Sequence, residues 1–417
     1  MERAELITLL RATGCAEEHG DFVFLCDPTW GPGEREALAR AAAQSKIENQ
    51  KSKIQEGWLC VPTGGTSGGV RFARHDETTL SAAVRGFCVH FGVECVNAID
   101  VLPPFHVSGL MSRVRCAATG GLHLTWDWKR LEAGEFLALG PARGGWVISL
   151  VPTQLQRLLG SPRTVAWLRE FRAIFLGGGP VWPALASAAA QAKLPLSLSY
   201  GMTETAAMVA ALRPEEFLAG ERSCGRALPH ARIAVNAEGV VTIAAESVFH
   251  GYFPPGVRNA SDPGNPLQEV CHVIRDKLMG DDEPDVGRSG REFATQDLGR
   301  IDERGHLHIL GRRDAVIITG GKKVNSIEIE AALRESGEFT DVAVIGCPDA
   351  EWGEVVVACY PAAANATTTP NVVRAMEKLV GHQRPKRFVP IADWPRNAQG
   401  KVNRAALLQV VKGRAER

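Results

Sequence analysis

Between residues 96 and 199 the chain alternates strand signals with helix signals, and few architectures accommodate that rhythm. Residues 96–102, 146–151, 173–176 and 194–199 are apolar runs of strand length. Residues 110–118, residues 152–159 and the stretch closing at Ala192 have helical patterns, and Pro152 opens its helix at a position where no backbone N–H is needed. Strand and helix in turn predict an α/β class: a mainly parallel sheet covered by helices. In such sheets ligands bind outside the carboxyl ends of the strands. The residues that follow each strand are therefore the first place to look for chemistry.

Four of those exits are unusual. After the apolar run at 58–61 come Thr63, Gly64, Gly65, Thr66, Ser67, Gly68 and Gly69, then Val70 and Arg71. Glycines let successive N–H groups face one concavity, hydroxyls add donors, and arginine adds a planar cation. That describes a loop that wraps a polyphosphate, although a tight turn or linker fits the same residues. No Gly-Lys-Ser/Thr ends it, so it is not a Walker-type loop. It fits the G-x-S-x-G pattern of a hydrolase elbow, but that elbow needs a helix right after the serine, and the next helical pattern begins near Asp76. The second exit has Pro103 and Pro104 stopping the sheet, then His106 and Ser108 before a helix with Arg113 and Arg115. The third is Gly177, Gly178, Gly179 and Pro180. The fourth is Tyr200, Gly201, Met202, Thr203, Glu204 and Thr205: a flat ring for a base and a hard oxygen ligand for Mg²⁺, or alternatively a helix start capped by Thr203.

The remaining chain divides by texture. Residues 1–56 carry two helical patterns, the second at 32–43, and no evident chemistry. Hairpins are expected at 231–244 and 300–310, and residues 254–291 read as a polar excursion. A charged boundary at Gly311, Arg312, Arg313 and Asp314 separates a compact α+β remainder, giving domains 1–311 and 312–417. Lys+Arg and Asp+Glu balance at 47 each, so nothing points to a nucleic-acid partner. Ten cysteines without a C-x-x-C pair argue against a zinc ribbon or a disulfide framework. The first residues lack a signal-peptide layout and no apolar run is long enough to span a bilayer, so a cytoplasmic protein, monomer or homodimer, is expected.

Taken together, residues 58–410 resemble the adenylate-forming superfamily of acyl-CoA synthetases, luciferases and peptide-synthetase adenylation domains. The stretch from Thr63 to Arg71 looks like its phosphate loop. The segment from Tyr200 to Thr205 is similar to its adenine and Mg²⁺ motif. Asp297, Leu298 and Gly299 with Gly311 and Arg312 resemble its ribose pair and hinge, and the stretch from Pro395 to Lys401 its lysine loop. The resemblance implies a large N-terminal domain with a small β subdomain, and a small mobile α+β C-terminal domain. It implies that a carboxylic acid, ATP and coenzyme A are the partners, with Mg²⁺ as cofactor. Thr63, Gly64, Gly65, Thr66, Ser67, Gly68 and Arg71 would hold the phosphates. Gly177, Gly178, Gly179, Tyr200, Gly201 and Met202 would line the adenine site, and Asp297 with Arg312 would hold the ribose. Thr203 would touch the α-phosphate, Glu204 bind the metal, Asp314 form the hinge, and Lys401 bridge the carboxylate and α-phosphate. The stretches at Pro103–Leu110, Leu150–Leu155 and Leu176–Pro180 look like the o-succinylbenzoate–CoA ligase branch, of menaquinone and phylloquinone synthesis. That would place His106 beside the acyl group and Ser108 and Arg113 near its second carboxylate.

The chain also departs from the family pattern. Gly64 stands where serine is preferred, Val70 for proline, Arg71 for lysine and Gln296 for glycine, and Ala315 replaces a common aspartate. The phosphate loop comes early, so an abbreviated N-terminal subdomain is expected. Other aryl- or fatty-acid CoA ligases, and a non-catalytic nucleotide-binding homologue, are the competing readings.

Overall fold

The structure, a computed structural model, describes residues 1–49, 56–64, 70–253, 290–339, 341–362, 369–396 and 402–415. Gly65, Thr66, Ser67, Gly68, Lys401, the side chain of Asp314 and nearly all of the 254–291 excursion lie outside the described residues. Two compact units result: a larger one from residues up to Ile309, and a smaller one that starts at Leu310 and takes in Gln296–Leu298.

The alternating rhythm becomes a seven-stranded sheet. Its order is Arg226–Ala227, Ala207–Ala211, Leu196–Met202, Ala173–Leu176, Trp146–Leu150, Asn97–Asp100, His123–Thr125. From Leu196–Met202 to His123–Thr125 every neighbour is parallel. All four residues of Ala173–Leu176 and of Asn97–Asp100 are buried, as strands covered on both faces must be. The helix Glu77–Phe91 is one of the covers. Asp76 caps it, accepting from the N–H groups of Thr78 and Thr79 at 3.1 Å, and Gly92 ends it in the left-handed conformation at φ 59°. Its Leu80, Ala83 and Val84 enter the core that also holds Trp58, Leu59 and Val61. Phe87 packs instead against Phe175, their ring centroids 5.2 Å apart.

A second sheet, Ala16–His19, Phe22–Leu25, Leu59–Gly64, Val70–His75 and Tyr252–Phe253 in that order, has the glycine loop between its third and fourth strands. Its first two strands form a hairpin that the sequence reading missed, and Val70 and Arg71 belong to a strand rather than to the loop. A third sheet holds the expected hairpins, Ala231–Val235 with Val240–Ala245 and Arg291–Ile301 with Leu307–Arg312.

The smaller unit is a five-stranded sheet in which Lys322–Asn325, Val316–Thr319, Gly353–Pro361 and Ala343–Asp349 lie in order, and Arg387–Ile391 pairs with Gly353–Pro361. One core sets Ile329 and Leu333 of the helix Ser326–Glu335 against Val344, Val356 and Ala358. The other sets Leu407 and Val411 of Arg404–Ala415 against Ile345, Val357 and Cys359.

One expectation needs correction. The last parallel strand does not stop at Ser199 but runs through Tyr200 to Met202. No helix starts at Thr203, the alternative reading of that exit. A single 3₁₀ turn, Thr203–Thr205, is followed at once by the antiparallel strand Ala207–Ala211. Local chemistry explains the reversal. Thr205 Oγ1 accepts from Met202 N at 3.1 Å and donates to Ala207 O at 2.7 Å, closing the turn. Ala206 and Ala207 then take φ of 51° and 76°, which costs of the order of 1 kcal/mol each. Gly201 permits the tight crossing, because a Cβ there would lie 1.9 Å from Ala207 O.

Candidate active site

Two of the segments singled out by sequence meet at Glu204. This carboxylate is 7% exposed, immediately beyond the carboxyl end of the strand Leu196–Met202. Thr63, at the end of the strand leading into the glycine loop, donates its hydroxyl to Glu204 Oε1 at 3.1 Å across 141 residues of chain. Tyr252 donates its hydroxyl to the same oxygen at 2.8 Å. The guanidinium of Arg71 lies over the Tyr252 ring, 4.3 Å from its centroid, and its Nε is buried without a partner among the described residues. Thr63, Arg71, Glu204 and Tyr252 thus form one cluster beside the strands that flank the glycine loop. Sequence reasoning missed Tyr252. It stands between a glycine and the polar excursion, and no spacing rule ties it to Glu204.

The turn that presents Thr203 and Glu204 is held from behind. His75 is fully buried, and its Nε2–H donates to Thr203 O at 2.7 Å. Burial pushes its pKa down to about 4, so the ring is neutral and serves as a fixed peg. The next residue, Asp76, is 2% exposed and pairs with His250 at 2.6 Å. Burial alone would raise its pKa. Hydrogen bonds from His250, Thr78, Thr79 and Gly57 outweigh that and hold the carboxyl well below its usual range.

Other expected residues take definite places. Gly177, Gly178 and Gly179 follow directly on Ala173–Leu176, and Gly177 N donates to Leu150 O at 3.4 Å. Tyr200 is buried, packed with Val209, Ala210 and Phe249. His106 sits at the N-cap position of the helix Val107–Ala118 but makes no side-chain cap bond. A helix turns 100° per residue, so His106 and Arg113 share one face, while Ser108 lies on the face of Arg115. In the smaller unit Arg312 Nη1 donates to Asp297 Oδ1 at 3.3 Å.

Arg115 is the more unusual of the two helix arginines. It is 5% exposed, over the ring of Phe87 at 4.4 Å, with Nε and Nη2 unpartnered among the described residues. Burial lowers its pKa to about 10. His230 lies in the same region, its pKa lowered to about 4 first by burial and then by Arg115 and Arg85, and neither ring nitrogen has a partner among the described residues. Gly86 makes room for this ring, since a Cβ there would meet His230 Nδ1 at 1.8 Å. A buried cation without an anion is costly, and the face of the Phe87 ring offsets part of that cost.

These histidines give a pH prediction. Unfolded imidazoles take a proton near pH 6.5, whereas folded His75 and His230 do so only near 4. Below pH 6.5 the unfolded chain therefore binds more protons and gains. Stability should be flat above that pH and fall by about 2 kcal/mol per histidine between pH 7 and 5. Urea unfolding at the two pH values measures it, and an unchanged midpoint would contradict the buried, neutral state of these rings.

Comparison with known proteins shows the family. The AMP-binding enzyme family matches residues 12–253, and the AMP-binding enzyme C-terminal domain matches residues 328–401. The chain belongs to the AMP-binding enzyme family. A 2-succinylbenzoate–CoA ligase of Enterococcus faecalis is 28% identical over 365 residues, 85% of this chain and 69% of that protein. An indoleacetate–CoA ligase of Aromatoleum aromaticum is 28% identical over 390 residues, 90% of this chain and 71% of that protein. Across eight curated relatives that it matches, the chain spans between 59% and 71% of their length. In fold it resembles o-succinylbenzoate CoA synthetase from Bacillus subtilis in complex with its acyl-adenylate intermediate. The TM-score is 0.66 at 22% identity, over 85% of this chain and 69% of that one. No helix among the described residues is long and apolar enough to cross a membrane.

Mg²⁺ fits the donor set. Among the described residues no three His, Cys, Asp or Glu side chains converge. Glu204 instead offers one hard carboxylate oxygen, Oε2, that no hydrogen bond occupies there, while Oε1 is held by Thr63 and Tyr252. A single carboxylate shared with substrate phosphates is a usual way to hold this ion.

Proposed function

We propose that the chain activates a carboxylic acid with ATP and passes the acyl group to coenzyme A, with o-succinylbenzoate as the acid. The observation that carries this reading is the hydrogen bond from Thr63 to Glu204, which joins the strand entering the glycine loop to the carboxylate that would hold Mg²⁺. In the first step an oxygen of the carboxylate bonds to the α-phosphorus and the bond to pyrophosphate breaks. In the second the thiol sulfur of coenzyme A bonds to the acyl carbon and AMP leaves. Bound Mg²⁺ would neutralise phosphate charge. Thr63, Gly64, Gly65, Thr66, Ser67, Gly68 and Arg71 would grip the phosphates. Tyr200, Gly201, Met202 and Gly177–Gly179 would border the base, and Asp297 with Arg312 the ribose. Thr203 and Lys401 would face the α-phosphate. Residues 1–311 would form the nucleotide domain and residues 312–417 a lid, hinged at Asp314.

Support for the acid comes from the helix Val107–Ala118. His106 would border the acyl group. An acid with a second carboxylate suits Arg113, which shares the helix face of His106, whereas Arg115 stands in the last turn over the ring of Phe87. Arg113→Ala should raise the KM for o-succinylbenzoate at least about tenfold relative to that for benzoate, the cost of one charge-assisted hydrogen bond. Arg115→Met should change that ratio less. An unchanged ratio in Arg113→Ala would clear Arg113 of the role.

A second reading, another aryl-acid CoA ligase, is supported by the indoleacetate relative, which matches over a larger share of both chains than the Enterococcus faecalis 2-succinylbenzoate relative does. ATP–pyrophosphate exchange over a panel of acids decides between them. Exchange with o-succinylbenzoate above all others supports the first. Exchange confined to arylacetic or fatty acids removes it, and none with any acid would indicate a nucleotide-binding homologue.

A further inference from the structure

The turn that carries Glu204 is gripped from two sides, and both grips lead back to Arg74, His75 and Asp76. On one side His75 donates to Thr203 O. On the other, residues 249–252 hold Glu204 twice. Phe249 N donates to its backbone oxygen at 2.9 Å, and the Tyr252 hydroxyl donates to Oε1 at 2.8 Å. The place of that segment therefore sets the place of the carboxylate. The segment is tied to the same corner of the chain. His250 N donates to Arg74 O at 2.8 Å, Arg74 N donates to Gly251 O at 3.0 Å, and Tyr252 pairs with Ala73. Gly251 has a φ of 105° and open space where a Cβ would stand. A glycine in that conformation is a soft joint, so an anchor beside it adds definition that the backbone bonds alone do not give.

The His250 ring is that anchor. Its Nε2 lies 2.6 Å from Asp76 Oδ2, and the two side chains are 10% and 3% exposed. Asp76 cannot follow a displaced partner. Its Oδ1 also accepts from Thr78 N, Thr78 Oγ1 and Thr79 N, and its Oδ2 from Gly57 N. Room for the ring is built into the chain opposite. Gly57 has a φ of 66°, and a Cβ there would stand 2.8 Å from His250 Cβ. Arg74 Nε donates to Gly57 O at 3.0 Å and keeps that wall in place. On its outer side, His250 Nδ1 lies 3.7 Å from Glu56 Oε2. Removing one partner of a buried pair costs far more than removing one of a surface pair.

We propose that His250 is a positioning residue for the metal site: anchored on Asp76, it fixes residues 249–252 and through them the Glu204 carboxylate. The proposal rests on the reading of Glu204 as the Mg²⁺ ligand. His250 makes and breaks no bond in the reaction. Its effect falls on the affinity for the ion, and so on the part of nucleotide binding that depends on the ion.

The test is calorimetric binding of α,β-methylene-ATP, which cannot release pyrophosphate, in Mg²⁺ and in EDTA. In the parent chain Mg²⁺ should tighten binding. In His250→Leu that tightening should fall about tenfold, the lower end of the effect of losing an outer partner of a metal ligand, while affinity in EDTA stays unchanged. His250→Gln should restore most of it, because its amide nitrogen reaches the position of Nε2. His250→Asn is one methylene shorter and should behave as the leucine variant does; it takes that variant's place if circular dichroism shows His250→Leu misfolded. Affinity lowered alike in both media would mean a structural role and overturns the proposal. So does full tightening by Mg²⁺ in His250→Leu or His250→Asn. Glu204→Gln, run alongside, separates the two readings. If it keeps the tightening, the ion is not held at Glu204, and the metal reading fails and takes this proposal with it. If it loses the tightening while the His250 variants keep it, only the positioning role fails.

Discussion

Lys401→Ala is expected to lower adenylate formation by about a hundred- to a thousandfold, the usual effect of removing one preorganised charge from a developing oxyanion. Thioester formation from supplied acyl-adenylate should stay within a few-fold of the parent. The asymmetry follows from charge. In adenylation a carboxylate approaches a polyphosphate, and both reactants are anions. In thioester formation the mixed anhydride carries a single phosphate charge, and its acyl carbon is already activated. Lys401 itself lies outside the described residues, but the ends of its loop are well held within the smaller unit. Asp341 accepts from Trp394 Nε1 at 3.0 Å and from Arg396 Nη2 at 2.6 Å. Asn403 N donates to Pro395 O at 2.9 Å, and Arg396 pairs with Val402 as an isolated antiparallel bridge. The residues on either side of 397–401 are thus fixed to one another. ATP–pyrophosphate exchange measures the first half-reaction, and coenzyme A consumption with synthetic acyl-adenylate measures the second. Equal loss in both would mean that Lys401 supports the fold or both steps, and the assignment would fail.

The sequence was most legible where local pattern and tertiary demand agree. Ala173–Leu176 is apolar at every position and is buried at every position. The helix after Asp76 announces itself by its capping residue and by apolar spacing. The hairpin Ala16–His19 with Phe22–Leu25 was hidden because its strands are four residues long and Phe22–Leu25 shows no alternation, being buried throughout. The turn at Thr203 misled in another way. Thr203 is a good N-cap residue, yet two alanines in the left-handed region stop the helix after one turn, and alanine gives no warning of that. Of the site, the residues at strand exits could be found by position. Tyr252 could not, because it is defined by a partner 48 residues away.

Glu204→Gln tests the metal assignment without removing the hydrogen bonds. The amide oxygen can still accept from the hydroxyls of Thr63 and Tyr252, so the cluster keeps its shape. What disappears is the formal charge, and with it the affinity of the free oxygen for a hard dication. The expected result is a loss of exchange rate of about a hundredfold or more at fixed Mg²⁺, with the Mg²⁺ concentration for half-maximal rate raised. Tyr252→Phe separates support from ligation. It removes one donor to Oε1 and should cost about tenfold or less, since the carboxylate keeps its charge and Thr63 still fixes its orientation. The contrast between the two variants matters more than either value. If both shift the Mg²⁺ dependence equally, Tyr252 and Glu204 act as one positioning pair and the ion is held elsewhere. If neither shifts it, the contact between Thr63 and Glu204 only braces the phosphate-loop strand against the turn, and the case for phosphoryl chemistry at this cluster is lost.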